Sequence, residues 1–188
     1  MEGALNLKTK TLHSLSEQEL VDCVNGGANT CSIGGEMYQG VEYGIAHGMM
    51  AEADYSYKGT SGGGCKYDPS KSVHKFSSYS NITSGDENAL MAATYEKPII
   101  SVGIDASSFW FQLYFGGVFD ISSCKNDIND LDHGVAVVGY GHDTSSGKDY
   151  WIVRNSWGGS WGKSGYIWMV RNKNNECGVA TQACYAEY

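Results

Sequence analysis

One stretch constrains this chain more than any other: residues 132 to 166, reading Asp-His-Gly-Val-Ala-Val-Val-Gly-Tyr-Gly, a polar loop, then Asp-Tyr-Trp-Ile-Val-Arg-Asn-Ser-Trp-Gly-Gly-Ser-Trp-Gly-Lys-Ser-Gly-Tyr. Its two apolar runs, 135–140 and 150–153, are short, β-branched or aromatic, and bounded by glycine, the pattern of buried strands. The residues between them, His-Asp-Thr-Ser-Ser-Gly-Lys, are turn formers, so the unit reads as a β-hairpin. A turn centred on Thr144 sets His133 directly opposite Asn155, on one face of the ribbon. An amide there can hold one imidazole nitrogen and leave the other facing outward, as an oriented catalytic base requires.

The sequence 155–166, Asn-Ser-Trp-Gly-Gly-Ser-Trp-Gly-Lys-Ser-Gly-Tyr, resembles the asparagine-tryptophan signature of the papain-like, cathepsin L-like cysteine proteases. Residues 132–141 resemble the family's histidine signature, and the likeness extends through Ser-Leu-Ser-Glu-Gln-Glu-Leu-Val-Asp-Cys (14–23), Phe-Gln-Leu-Tyr-Phe-Gly-Gly-Val-Phe (111–119) and Glu-Cys-Gly-Val-Ala (176–180). It implies an α+β fold of two lobes, one helical (1–97) and one antiparallel and barrel-like (98–188). His133 would be the general base, Asn155 its orienter and Trp157 a shield over the pair. Gly34 and Gly35 would offer backbone to an extended peptide. Met37, Gly103, Leu131 and Gln182 would line the main specificity pocket, with Asp132 beside the base. Cys23 would pair with Cys65 and Cys124 with Cys177, leaving Cys31 single. Cys184, with no usual counterpart, reads as a small buried hydrophobe.

The element pattern agrees with this order. Ser16 is a helix N-cap answered by Glu19, with Leu15 packing on Leu20. Met37, Val41 and Ile45 recur at helical spacing up to Gly48. Residues 50–84 read as irregular, and Asp86 to Tyr95 as a helix that stops before Pro98. From Ile99 the period becomes two, with further strands near Val118, Val135, Trp151 and Ile167.

The net charge of −8 excludes a nucleic-acid surface and docking on an anionic membrane. No apolar run is long enough to span a bilayer. Six cysteines without a Cys-x-x-Cys pair point to disulfides in an oxidising compartment rather than to a metal site, although sequence leaves fifteen pairings open. Lysosomal, vacuolar or extracellular settings fit. Asn81-Ile-Thr is an N-glycosylation sequon. His13, His47, His74 and His142 carry no partner signal. No cofactor is expected; the expected partners are protein or peptide substrates and a propeptide or missing N-terminal segment.

The resemblance also exposes a gap. The family's nucleophile precedes its histidine by about 130 to 150 residues, which sets it near or before Met1, and no cysteine stands there. Met1 to Lys8 would be the tail of the family's central helix, with the nucleophile about ten residues upstream and the oxyanion glutamine further still. Leu20, Val41 and Ile45 would then lack a packing partner. The chain as written is expected to be inactive alone, as part of an active protease, as a non-catalytic binding or assembly relative, or as a relative with a serine nucleophile.

Overall fold

A computed structural model describes residues 1–97 and 99–188, and Pro98, where the sequence ends the fourth helix, lies outside the described residues. Its contacts divide the chain into two compact units, Met1–Ser80 with Ala186–Tyr188, and Asn81–Tyr185.

The first unit is mainly helical. Helix α1 (Glu2–Thr9) closes on Lys10 in the left-handed region, and α2 (Glu17–Cys23) starts at Ser16, whose hydroxyl accepts the Glu19 N–H at 2.9 Å. The reciprocal half of the expected capping box is absent. The Glu19 carboxylate instead accepts the Met50 N–H at 2.7 Å, and the Ser16 N–H donates to the Met50 carbonyl at 3.0 Å. Tertiary pairing with 49–50 has taken over both groups, since a buried N–H must find an acceptor wherever one stands. Helix α3 (Met37–Ala46) does carry a capping box, from Glu36 and Gln39. The stretch read as irregular holds most of two short antiparallel strands, β1 (Met49–Met50) and β2 (Ser72–His74), and all of β3 (Ser78–Asn81). Their brevity, and the polar content of β2 and β3, hid them from a period-two reading. Leu5, Leu15, Val41, Met49 and Phe76 form the core of this unit, with Leu20 and Ile45 half-buried against it. A disulfide joins Cys23 to Cys65.

The second unit is built on a sheet. Helix α4 (Glu87–Glu96) starts on Asp86, whose carboxylate accepts the Ala89 N–H, and precedes β4 (Ile100–Ile104). There follow α5 (Phe109–Gln112), β5 (Val118–Phe119), β6 (His133–Asp143), β7 (Lys148–Arg154), β8 (Tyr166–Val170) and β9 (Ala183–Glu187). The sheet order is β3-β9-β4-β6-β7-β8-β5 and it is not closed into a barrel. Nor is it wholly antiparallel, because β5 runs parallel to β8. Ile100, Val102, Val137, Trp151, Val153 and Ile167 are fully buried in its core, and a second disulfide joins Cys124 to Cys177.

The hairpin register differs from the expected one. Ala136, which a turn on Thr144 would set opposite Ile152, lies opposite Arg154, two residues further on. The cause is a longer turn: the Asp143 carboxylate accepts the N–H groups of Ser145 and Ser146, and Gly147 closes the loop at φ 69°. An irregularity at Val138 adds a third residue of offset toward the tip. Because the displacement nearest His133 is even, no side chain changes face there.

Candidate active site

His133 opens β6 with its Cα paired to Ile104 of β4. Asn155 is the first residue after β7; its N–H donates to the Gly165 carbonyl at 2.9 Å, which folds 156–165 into a tight loop before β8. That loop requires glycine: a Cβ on Gly162 would stand 2.5 Å from the Tyr166 carbonyl oxygen.

The two side chains meet. His133 Nε2 lies 2.8 Å from Asn155 Oδ1. The amide orientation is fixed independently, because the same oxygen accepts the Ser156 backbone N–H at 2.7 Å, and a backbone N–H needs an acceptor. An oxygen cannot donate, so Nε2 carries the proton and neutral His133 presents the lone pair of Nδ1. Direct cross-strand pairing does not produce this contact; the pair forms diagonally, just beyond the last β7 pairing. Asn155 is 6% exposed, and its Nδ2 is buried with no hydrogen-bond partner among the described residues.

Aromatic rings enclose the bond. The Trp157 ring lies 5.1 Å from the imidazole at 34°, and Phe111 stands edge-on to both, 6.3 Å from His133 and 5.6 Å from Trp157. Trp161 completes the cluster 5.3 Å from Phe111 and from Trp157, and its Nε1 donates to the Gln112 carbonyl at 2.9 Å, tying the loop to α5. Trp157 remains 41% exposed, so it covers the pair from the solvent side. Phe111 stood inside a recognised motif, but sequence gave it no role. Its position under the imidazole depends on α5, whose one turn is too short to show a period. Around it Phe109, Trp110, Leu113 and Phe115 stay exposed, leaving an apolar face on this segment.

The remaining candidates fall into two groups. Gly103, Leu131 and Gln182 adjoin in the second unit, where a Cβ on Gly103 would stand 3.0 Å from Gln182 Oε1 and 3.2 Å from Leu131 Cδ1. The Asp132 carboxylate accepts the Ala106 N–H at 2.7 Å and anchors the start of β6 to the residues after β4. Asp105, missed in the sequence, ties the residue after β4 to the segment following β5 by accepting the Lys125 N–H. Burial works to raise its pKa, but hydrogen bonds from Ser107 and the Lys125 N–H outweigh that and hold it below the usual carboxylate range. In the first unit, Gly34, Gly35 and Met37 line a cavity of about 440 Å³ with Leu20, Val24 and Tyr57.

Among the cysteines, Cys31 is a free exposed thiol and Cys184 a free buried one whose pKa burial pushes up to about 11. His142 does have a partner, Asp149, 2.8 Å from its Nδ1 across the exposed end of the hairpin. No cluster of three or more metal-ligating side chains occurs, and no helix is long and apolar enough to cross a membrane, among the described residues.

Residues 1–187 match the family described as papain family cysteine protease. The chain is 46% identical to cathepsin S of Mus musculus over 191 residues, which cover 100% of this chain and 54% of that protein. It is 45% identical to cysteine proteinase 3 of Dictyostelium discoideum over 186 residues, 98% of this chain and 54% of that protein. Among solved structures, digestive procathepsin L 3 of Tenebrio molitor larval midgut superposes with a TM-score of 0.88 at 43% identity, covering 100% of this chain and 60% of that one. The chain thus spans about half the length of the relatives it matches.

Proposed function

The chain belongs to the papain family of cysteine proteases, and on that premise we propose that it carries the general base, the base-orienting amide and part of the substrate site of a cysteine endopeptidase. The observation that supports this most is the His133–Asn155 hydrogen bond with Nε2 as donor. It leaves Nδ1 free to take a thiol proton, giving a thiolate and an imidazolium. The thiolate attacks the scissile carbonyl, and the imidazolium returns its proton to the leaving amine as the C–N bond breaks. Water, deprotonated by the same nitrogen, then hydrolyses the thioester.

The nucleophile in this reading is contributed by residues outside these 188. Four of the six cysteines are disulfide-bonded and Cys184 is buried, so Cys31 is the one free exposed thiol among the described residues, and it lies in the first unit beside Gly34 and Gly35. Asn155 is the positioning residue, holding the ring in one tautomer. Trp157 and Phe111 keep water from the Nε2 bond.

In the first unit, Gly34, Gly35 and Met37 would offer backbone and apolar ground to an extended substrate. In the second unit, Gly103, Leu131 and Gln182, with Asp132 beside the base, would receive the side chain second from the scissile bond. With no charge among Gly103, Leu131 and Gln182, the preference is for a bulky apolar residue; Gln182 can accept or donate a hydrogen bond but cannot neutralise arginine. The exposed aromatics flanking Phe111 would give apolar ground to a propeptide. A lysosomal, vacuolar or extracellular setting fits the two disulfides.

The test is hydrolysis of peptides by the longest natural form. His133→Ala should lower kcat/KM by roughly 10² to 10⁴, and substrates with Leu at the second position should be cut faster than those with Arg. Unchanged activity in His133→Ala would remove the proposed base, and a preference for Arg would remove the pocket assignment.

A further inference from the structure

The sequon at Asn81 has no place in the chemistry above, and the fold puts it where a modification would act. Strand β3 lies at one end of the sheet order, with β9 as its one strand neighbour among the described residues. Exposed edges are templates for pairing with another chain, and proteins blunt them by keeping them short, as β3 is at 4 residues, and with charge, proline, bulges or a covering group. From Phe76 to Gly85 the sequence is Phe-Ser-Ser-Tyr-Ser-Asn-Ile-Thr-Ser-Gly, with neither a charge nor a proline. Asn81, the last residue of β3, is exposed, as is Thr83. The backbone around them is already satisfied: the Ile82 N–H donates to the Ala183 carbonyl at 2.9 Å, and the Thr83 carbonyl accepts the Asp86 N–H at 3.0 Å. Neither the Asn81 amide nor the Thr83 hydroxyl makes a side-chain hydrogen bond among the described residues, so substituting the amide costs the fold nothing.

We infer that Asn81 carries an N-linked oligosaccharide that shields the edge of β3 away from β9. In the transfer, Asn81 Nδ2 bonds to the anomeric carbon of a lipid-pyrophosphate-linked oligosaccharide. The carbon–oxygen bond to the pyrophosphate breaks, the lipid pyrophosphate leaves, and Nδ2 loses one proton to a base. The inference rests on the secretory-pathway setting proposed above.

The experiment expresses the longest natural form in a eukaryotic host behind an added signal peptide, so that entry into the pathway does not depend on that reading. The wild type and Thr83→Ser should carry a mass removable by an endoglycosidase, whereas Asn81→Gln and Thr83→Ala should not. Secreted wild type without that mass would overturn the assignment, while an untagged natural precursor retained in the cytosol would overturn only the setting. Trimming the folded glycoprotein to a single sugar should raise its aggregated fraction several-fold, and Asn81→Lys, which puts a charge on the edge, should remain monomeric. No difference in aggregation between trimmed and untrimmed protein would overturn the shielding role.

Discussion

At the scale of single residues, the site turns on which nitrogen of His133 holds the proton. The Ser156 N–H settles the Asn155 amide, and the amide settles the ring. Asn155→Ala should therefore lower kcat by up to roughly 10⁴-fold with little change in KM, because it unlocks the ring of the proposed base without touching substrate. Steady-state kinetics on that variant check this, and a rise in KM at constant kcat would make Asn155 a binding residue instead. The partnership was legible in the sequence from two motifs and a hairpin, even though the assumed register was wrong. Face survives an even displacement, so His133 and Asn155 stayed together while every direct pair changed. What could not be read was Phe111, whose place under the imidazole depends on packing between α5 and the 155–165 loop and leaves no period behind.

At the scale of elements, α5, the 155–165 loop and the β6–β7 hairpin act as one block because aromatic rings interlock them. The Trp161 Nε1 bond to the Gln112 carbonyl is the polar link in that block. Trp161→Phe keeps the ring packing and removes one hydrogen bond, so stability should fall by about 1 kcal/mol, with a larger fall in kcat than in KM. Chemical denaturation beside kinetics measures both, and an unchanged kcat would show that the loop holds Trp157 without this tie. The Cys124–Cys177 bridge fastens the segment after β5 to the turn before β9. Replacing both cysteines with serine should cost about 2 to 5 kcal/mol, read from the shift in denaturation midpoint. The helix starts at Ser16 and Asp86 were visible in the sequence because a cap is a local device. The Glu19 bond to Met50 was not, because its donor, the Met50 N–H, is brought by a strand about thirty residues away in a stretch without period.

At the scale of the whole molecule, the buried glutamates of the first unit and the paired aspartates of the second titrate in opposite directions. Burial raises the pKa of Glu17, with Glu52 and Glu2 adding to it, and burial likewise raises that of Glu19. Their folded forms hold the proton more tightly than the unfolded chain does. That stability is complete below the ordinary glutamate range and is lost as pH rises through the raised values. In the second unit Asp105 and Asp120 are held low, Asp120 by Lys173 and Lys148, so their contribution is present at neutral pH and lost only as pH falls through the lowered values. Burial lowers the pKa of His74 in the first unit and so adds stability as pH rises through the ordinary histidine range; the Glu19 contribution is therefore read as a difference, the melting temperature of Glu19→Gln, which keeps an acceptor for the Met50 N–H, falling less than that of the wild type as pH rises above the ordinary glutamate range. An identical slope in wild type and variant would remove Glu19 as its source. The central claim, that His133 serves a thiol lying outside these 188 residues, is tested most directly by treating the longest natural form with a thiol-directed epoxide and locating the label by mass spectrometry. The account predicts one equivalent on a cysteine preceding Met1, with labelling abolished in His133→Ala; label on Cys31, or labelling indifferent to His133, would contradict it.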